Sequence, residues 1–113
     1  MRAIVTGGAG FIGSHSVDYL VARGDEVVVA DNLSTGKVEN LNRIADFYRC
    51  DISDYKRAGR AFRRGADVVF HLAALPRVPL SFKEPYLTDQ VNHVGTLNIL
   101  ALATKYKIRR MVF

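Results

Sequence analysis

Thr6-Gly7-Gly8-Ala9-Gly10-Phe11-Ile12-Gly13 decides the reading of this chain. The stretch follows a short apolar run, Arg2–Thr6, and opens an amphipathic one, about Gly10–Ala22. It holds G-x-G-x-x-G as Gly8, Gly10 and Gly13, and G-x-x-G-x-x-G as Gly7, Gly10 and Gly13. Each glycine has a steric purpose. An early one makes the tight turn, a middle one lets backbone approach a pyrophosphate, and the last packs helix on strand. Free N–H groups and the helix dipole then favour an anion at the helix start. Phe11 and Ile12 fill that start.

A second test lies downstream. Glu26–Ala30 is nearly all valine, as in a strand buried on both faces. Asp31 ends it, at the spacing of roughly 20 residues where an acidic side chain meets the adenosine ribose. A carboxylate there accepts both ribose hydroxyls and repels a 2′-phosphate, so NAD is expected over NADP. The bland alternative is a glycine-rich turn with a strand-end Asp capping a loop.

Working outward, short β-branched runs alternate with amphipathic stretches, the pattern of βαβ units. A short helix is expected over Val38–Ile44, a strand over Asp46–Arg49, and a helix over Tyr55–Arg64 capped by Ser53 or Asp54. A further strand is expected over Asp67–His71. A loop with Pro76 and Pro79 follows, then a long helix over Thr88–Lys105 and a fifth strand from Arg110. Right-handed crossovers turn this order into an α/β, Rossmann-like, doubly wound parallel sheet, strands 3-2-1-4-5. The chain stops inside the fifth strand, so the far edge and part of one face are expected to be bare.

More cofactor-side features sit at the strand ends. Asn32-Leu33-Ser34-Thr35-Gly36-Lys37 offers small polar groups for a ribose and phosphate, or is an ordinary polar turn. Asp51-Ile52 follows the third strand. Asp51 either accepts from an adenine amino group or caps the next helix. His71-Leu72-Ala73-Ala74 ends the fourth strand at the topological switch point, where small residues let a cofactor lie against backbone. His71 reads as a hydrogen-bonded structural residue rather than an acid or base.

Composition narrows the classes. The chain has 113 residues, 49% hydrophobic and 24% charged, as in one small globular domain or part of a larger one. No apolar run reaches the roughly 20 residues of a membrane span. One cysteine, Cys50, excludes an internal disulfide and suits a reducing, cytoplasmic setting. It reads as a small buried hydrophobe. Three scattered histidines give no metal-ligand spacing. Net charge is +5. Lys56, Arg57, Arg60, Arg63 and Arg64 are read as a solvated helix face, since no stacking aromatics interleave them and no nucleic-acid motif is present. Neither nucleic acid nor membrane is an expected partner.

Together these motifs, with Asn92–Asn98 as N-x-x-G-T-x-N, resemble the NAD-dependent sugar-nucleotide epimerase/dehydratase family of extended short-chain dehydrogenases/reductases. The likeness covers the whole chain, in the style of the N-terminal half of a UDP-glucose 4-epimerase. The resemblance implies glycine-turn contacts to NAD from Gly7, Gly10, Phe11, Ile12 and Gly13. It implies adenosine-side contacts from Asp31, Asn32, Ser34, Thr35 and Gly36, and adenine contacts from Asp51 and Ile52. Leu72, Ala73 and Ala74 would meet the nicotinamide side. In some epimerases of the family a lysine after the fourth strand reaches the cofactor. Here the loop reads Leu75-Pro76-Arg77-Val78-Pro79, and Arg77 is the candidate substitute. Val78 and Ser81 lie where a sugar nucleotide would enter.

The family's acid–base group is a Ser/Thr with Tyr-x-x-x-Lys. No Tyr-x-x-x-Lys occurs here: Tyr19, Tyr48, Tyr55, Tyr86 and Tyr106 are followed four residues on by Arg23, Ile52, Gly59, Gln90 and Arg110. The expectation is residues 1–113 as an NAD-binding domain fragment, without the catalytic segment or substrate lobe and inactive alone. Its parent would act reversibly at C4 of a UDP-hexose. A dehydratase or reductase of the same family, a non-catalytic NAD-binding module and a basic nucleic-acid-binding domain are the alternatives. The long helix carries apolar residues Val91, Val94, Leu97, Leu100 and Leu102 on more than one face: either sheet packing alone accounts for them, or, as the family implies, one face packs on a second subunit in a homodimer.

Overall fold

The computed structural model describes residues 1–113. Five parallel strands form one sheet in the order β3-β2-β1-β4-β5. They are β1 (Arg2–Thr6), β2 (Glu26–Asp31), β3 (Asp46–Arg49), β4 (Val68–His71) and β5 (Arg110–Val112). Parallel neighbours need crossovers, and helices supply most of them: α1 (Phe11–Ala22), α2 (Tyr55–Phe62), α3 (Val78–Lys83), α4 (Pro85–Asp89) and α5 (Thr96–Lys105). A π-helical segment, Gln90–Gly95, joins α4 to α5.

The valine-rich strands separate two apolar layers. Val17 and Leu20 of α1 pack with Ala3, Val5, Val27, Val29 and Val68. On the other face Ala58, Ala61 and Phe62 of α2 and Ile99, Leu102 and Ala103 of α5 pack with Ile4, Val28 and Val69. Alternate strand residues point to opposite faces, so each β-branched run feeds both layers. Register pairs Thr6 with Ala30 and with His71, which brings the ends of β1, β2 and β4 level.

Three expectations need correction. Val38–Ile44 is not a helix; only a 3₁₀ turn over Val38–Asn40 forms, and Leu41 is extended. A polar side chain takes a backbone group the helix would use: Asn42 Oδ1 accepts from Ile44 N–H at 2.9 Å, while Asn40 Nδ2 ties the segment to the glycine turn by donating to Ala9 O at 3.0 Å. The stretch after β4 is not all loop, because Pro79 stands in the first turn of α3, where its missing N–H costs nothing. The long helix starts earlier than expected, at Pro85, and carries the π-helical insertion.

Candidate dinucleotide cleft

The site lies across the ends of β1, β2, β3 and β4. Gly7 has φ +72, and a Cβ on it would stand 2.7 Å from the Ala73 nitrogen. Only glycine permits both the conformation and the approach. A Cβ on Gly13 would meet the Gly7 carbonyl carbon and Gly8 Cα, both at 2.8 Å, so the first turn of α1 sits directly on the glycine turn. Gly10 is different. A Cβ there would meet only Gly7 O, at 3.3 Å. Its bareness serves the cleft it lines more than the packing. No side chain caps α1, which leaves the N–H groups of Phe11, Ile12 and Gly13 for an anion.

Asp31 is 7% exposed and ends β2 beside this turn. Its Oδ2 accepts from Ala9 N–H at 3.0 Å and its Oδ1 from Leu33 N–H at 2.7 Å. Each oxygen keeps a second lone-pair direction, and the carboxylate borders the cleft. Gly36 lies against Ala9, with Lys37 N–H donating to Ala9 O at 3.1 Å, so the polar loop is folded back onto the glycine turn.

Asp51 does not cap α2. Asp54 does, its Oδ1 accepting from Arg57 N–H at 3.0 Å. Asp51 Oδ1 instead accepts from Ser53 N–H and Ser53 Oγ–H at 2.8 and 2.7 Å. Ile52 is pinned by the N-x-x-G-T-x-N motif. A Cβ on Gly95 would come within 2.6 Å of Ile52 Cδ1, and Asn98 Nδ2 lies 3.0 Å from the carbonyls of both Ile52 and Ser53.

The same motif fixes the fourth strand's exit. Asn92 clamps Leu75 in both directions, Oδ1 accepting from its N–H at 2.8 Å and Nδ2 donating to its carbonyl at 3.0 Å. Thr96 Oγ1 donates to Asn92 O at 2.6 Å, so it accepts from His71 Nε2–H at 2.9 Å. That leaves His71 Nδ1 bare to accept from the Thr6 hydroxyl at 2.7 Å. Leu72 and Ala73 in turn donate their N–H groups to Thr6 Oγ1, both at 3.2 Å. His71 is thus a neutral hub. Burial pushes its pKa below the usual histidine value, in the same sense.

The cleft brings together Gly7, Gly10, Asp31, Asn32, Ser34, Thr35, Asp51, Ile52, Leu72, Ala73 and Ala74. Gly13 and Gly36 support it from behind, and the side chains of Phe11 and Ile12 point away, 80% and 67% exposed. Arg77 is exposed at the start of α3 and, with Val78 and Ser81, does not line the cleft. Sequence reasoning missed four lining residues: Ala30, Cys50, Leu75 and Val91. Ala30 and Cys50 abut singled-out residues, so strand-end position alone could have found them. Leu75 and Val91 come from packing of the long helix. Burial pushes the Cys50 thiol up to about 11, which makes it unreactive at neutral pH. No group of His, Cys, Asp and Glu could hold a metal ion, and no helix is long and apolar enough to cross a membrane.

A glycine turn between β1 and α1, an acid at the end of β2 and an open crevice at the switch point between β1 and β4 define a Rossmann-type fold. The chain belongs to the NAD dependent epimerase/dehydratase family, whose model matches residues 3–113. It is similar to the UDP-glucose 4-epimerase of Thermus thermophilus, solved in complex with NAD: 47% identity, TM-score 0.95, covering all of this chain and 37% of that one. It is 40% identical to the UDP-glucose 4-epimerase of Lacticaseibacillus casei over 114 residues, all of this chain and 34% of that protein. It is 42% identical to UDP-glucuronic acid decarboxylase 1 of Arabidopsis thaliana over 110 residues, 96% of this chain and 25% of that protein. The chain thus spans about a quarter to a third of the length of these curated relatives.

Proposed function

We propose that residues 1–113 are the NAD-binding part of a sugar-nucleotide epimerase acting at C4 of a UDP-hexose. One observation carries the reading: the glycine turn, Asp31, Asp51 and the Leu72–Ala74 backbone border a single cleft. The bare Gly10 and the uncapped start of α1 suit a pyrophosphate. In this reading Gly7, Gly10 and Gly13 make room for it, and the N–H groups of Phe11 and Ile12 donate to it. Asp31 accepts the ribose hydroxyls with its free lone pairs, and its charge excludes a 2′-phosphate. Asn32, Ser34, Thr35 and Gly36 close over the adenosine side, and Asp51 and Ile52 hold adenine. Leu72, Ala73 and Ala74 support the nicotinamide side. The cleft has a cavity volume of only about 80 Å3 and opens to solvent, so the dinucleotide would lie along an open trough.

NAD when bound supplies the hydride acceptor. The residues of this chain bind and orient; none of them is assigned as acid or base, and sugar turnover is assigned to residues it does not carry. A homodimer would pair the outer face of α5, where Leu97 and Leu100 are exposed. The free Cys50 suits a cytoplasmic setting. The second reading is a sugar-nucleotide dehydratase, decarboxylase or reductase. It is favoured by the decarboxylase relative, whose 42% identity matches the 40% of the Lacticaseibacillus casei epimerase.

Amide NMR with NAD tests the assignment. Saturable shifts are expected at residues 7–13, 31–36, 51–52 and 72–74. Shifts confined to other residues would remove it.

A further inference from the structure

We propose that the groove between α2 and α5 is a second anion site, one that takes an oligophosphate chain. Lys56, Arg57 and Arg60 from α2, Arg63 just past its end and Lys105 from the end of α5 all line one groove of about 350 Å3, with no acidic residue among its walls. It shares no lining residue with the dinucleotide cleft.

Two costs fall on this face, and packing offsets neither. The first is charge. Arg57 meets Asp54 at 3.5 Å, but Lys56, Arg60, Arg63 and Lys105 form no ion pair. Arg64, beside them in sequence, reaches Glu26 at 3.3 Å and Asp46 at 3.9 Å. Lys56 and Arg60 are spaced i,i+4, and Arg60 and Arg63 i,i+3, so each pair repels along the helix. The second cost is Gly59. It sits in the middle of α2, where alanine favours the helix more. A Cβ there would make only an ordinary contact with Leu102 Cδ2, at 3.4 Å. Alanine therefore fits, and glycine keeps the floor of the groove open.

Phosphate answers this charge. Guanidinium groups bind its oxygens in pairs, and lysine adds a mobile point charge. From Lys56 to Arg63 the cations are seven helical steps apart, a rise of about 10 Å. One phosphate reaches part of that length, and linked phosphates reach more. Tyr55 and Tyr106 frame the groove, with the Lys105 ammonium 5.6 Å from the Tyr106 ring centroid. These aromatics were invisible as a set in the sequence, since residues 55 and 106 come to line one groove only in the fold.

The probe is inorganic tripolyphosphate, titrated into the 113-residue chain at constant ionic strength while amide NMR follows every residue. The glycine turn also attracts phosphate, so position decides. Saturable shifts are expected at residues 55–63 and 102–106, with affinity about tenfold or more above that of orthophosphate. The Arg60→Glu, Arg63→Glu double variant should weaken these shifts about tenfold and leave those at residues 7–13 in place. Gly59→Ala should raise the melting temperature and still weaken tripolyphosphate, which keeps the test usable if the double variant misfolds. Shifts confined to residues 7–13, shifts that never saturate, or equal effects from sulfate would overturn the proposal.

Discussion

The carboxylate of Asp31 accepts the backbone N–H of Ala9 at 3.0 Å. The residue proposed to read the ribose is therefore also a strut of the glycine turn. Asp31→Ala should leave the N–H groups of Ala9 and Leu33 without acceptors and cost about 1–3 kcal/mol for each that stays dry. Asp31→Asn retains one acceptor oxygen and should cost less. Urea unfolding of the two variants checks the order; equal stability would show that the strut carries no load.

Gly13 predicts a larger effect than Gly10. A methyl on Gly13 runs into the backbone of Gly7 and Gly8, whereas one on Gly10 meets a single oxygen at 3.3 Å. Gly13→Ala should lose about 1–3 kcal/mol through overpacking. Gly10→Ala should stay closer to the parent in stability while weakening the ligand. Urea midpoints and a binding titration on the same samples separate the two.

Asn92 tests the helix that seals the cleft. Asn92→Ala frees the N–H and carbonyl of Leu75 together. A loss of about 2 kcal/mol or more is expected, since two backbone groups lose partners. Amide exchange should speed up at residues 72–75 before it does in β1. Uniform acceleration over the whole sheet would contradict a local clamp.

His71 gives the fold a pH dependence. Its folded pKa lies below the ordinary 6.5 because burial disfavours the charged ring. Well above pH 6.5 the ring is neutral in both states, and its contribution is complete. Below 6.5 the unfolded chain takes up a proton that the folded chain refuses, so stability falls until the pH passes the folded pKa. The urea midpoint should drop between about pH 7 and pH 5.5, and His71→Gln should flatten that step. A His71→Gln variant with an unchanged step would assign it to other groups.

Much of this was legible in the residues. The alternation of strands and helices carries the sheet order through right-handed crossovers, and the glycine spacing with the acid at the end of β2 carries the turn, because they record sterics and burial. The parts that were not legible depend on partners far along the chain. The π-helical segment places Gly95 against Ile52 and Thr96 against His71, contacts that no local period encodes. The helix expected over Val38–Ile44 fails because Asn42 captures the backbone of Ile44. Pro79 reads as a breaker, yet at the first turn it starts α3.

Titration calorimetry of the 113-residue chain with NAD and with NADP bears on the cofactor assignment without an intermediary. One saturable site for NAD is expected, with NADP bound more weakly by about tenfold or more, because the proposed ribose contact would set the negative charge of Asp31 against a 2′-phosphate. Absence of NAD binding, or a tighter complex with NADP, would contradict it.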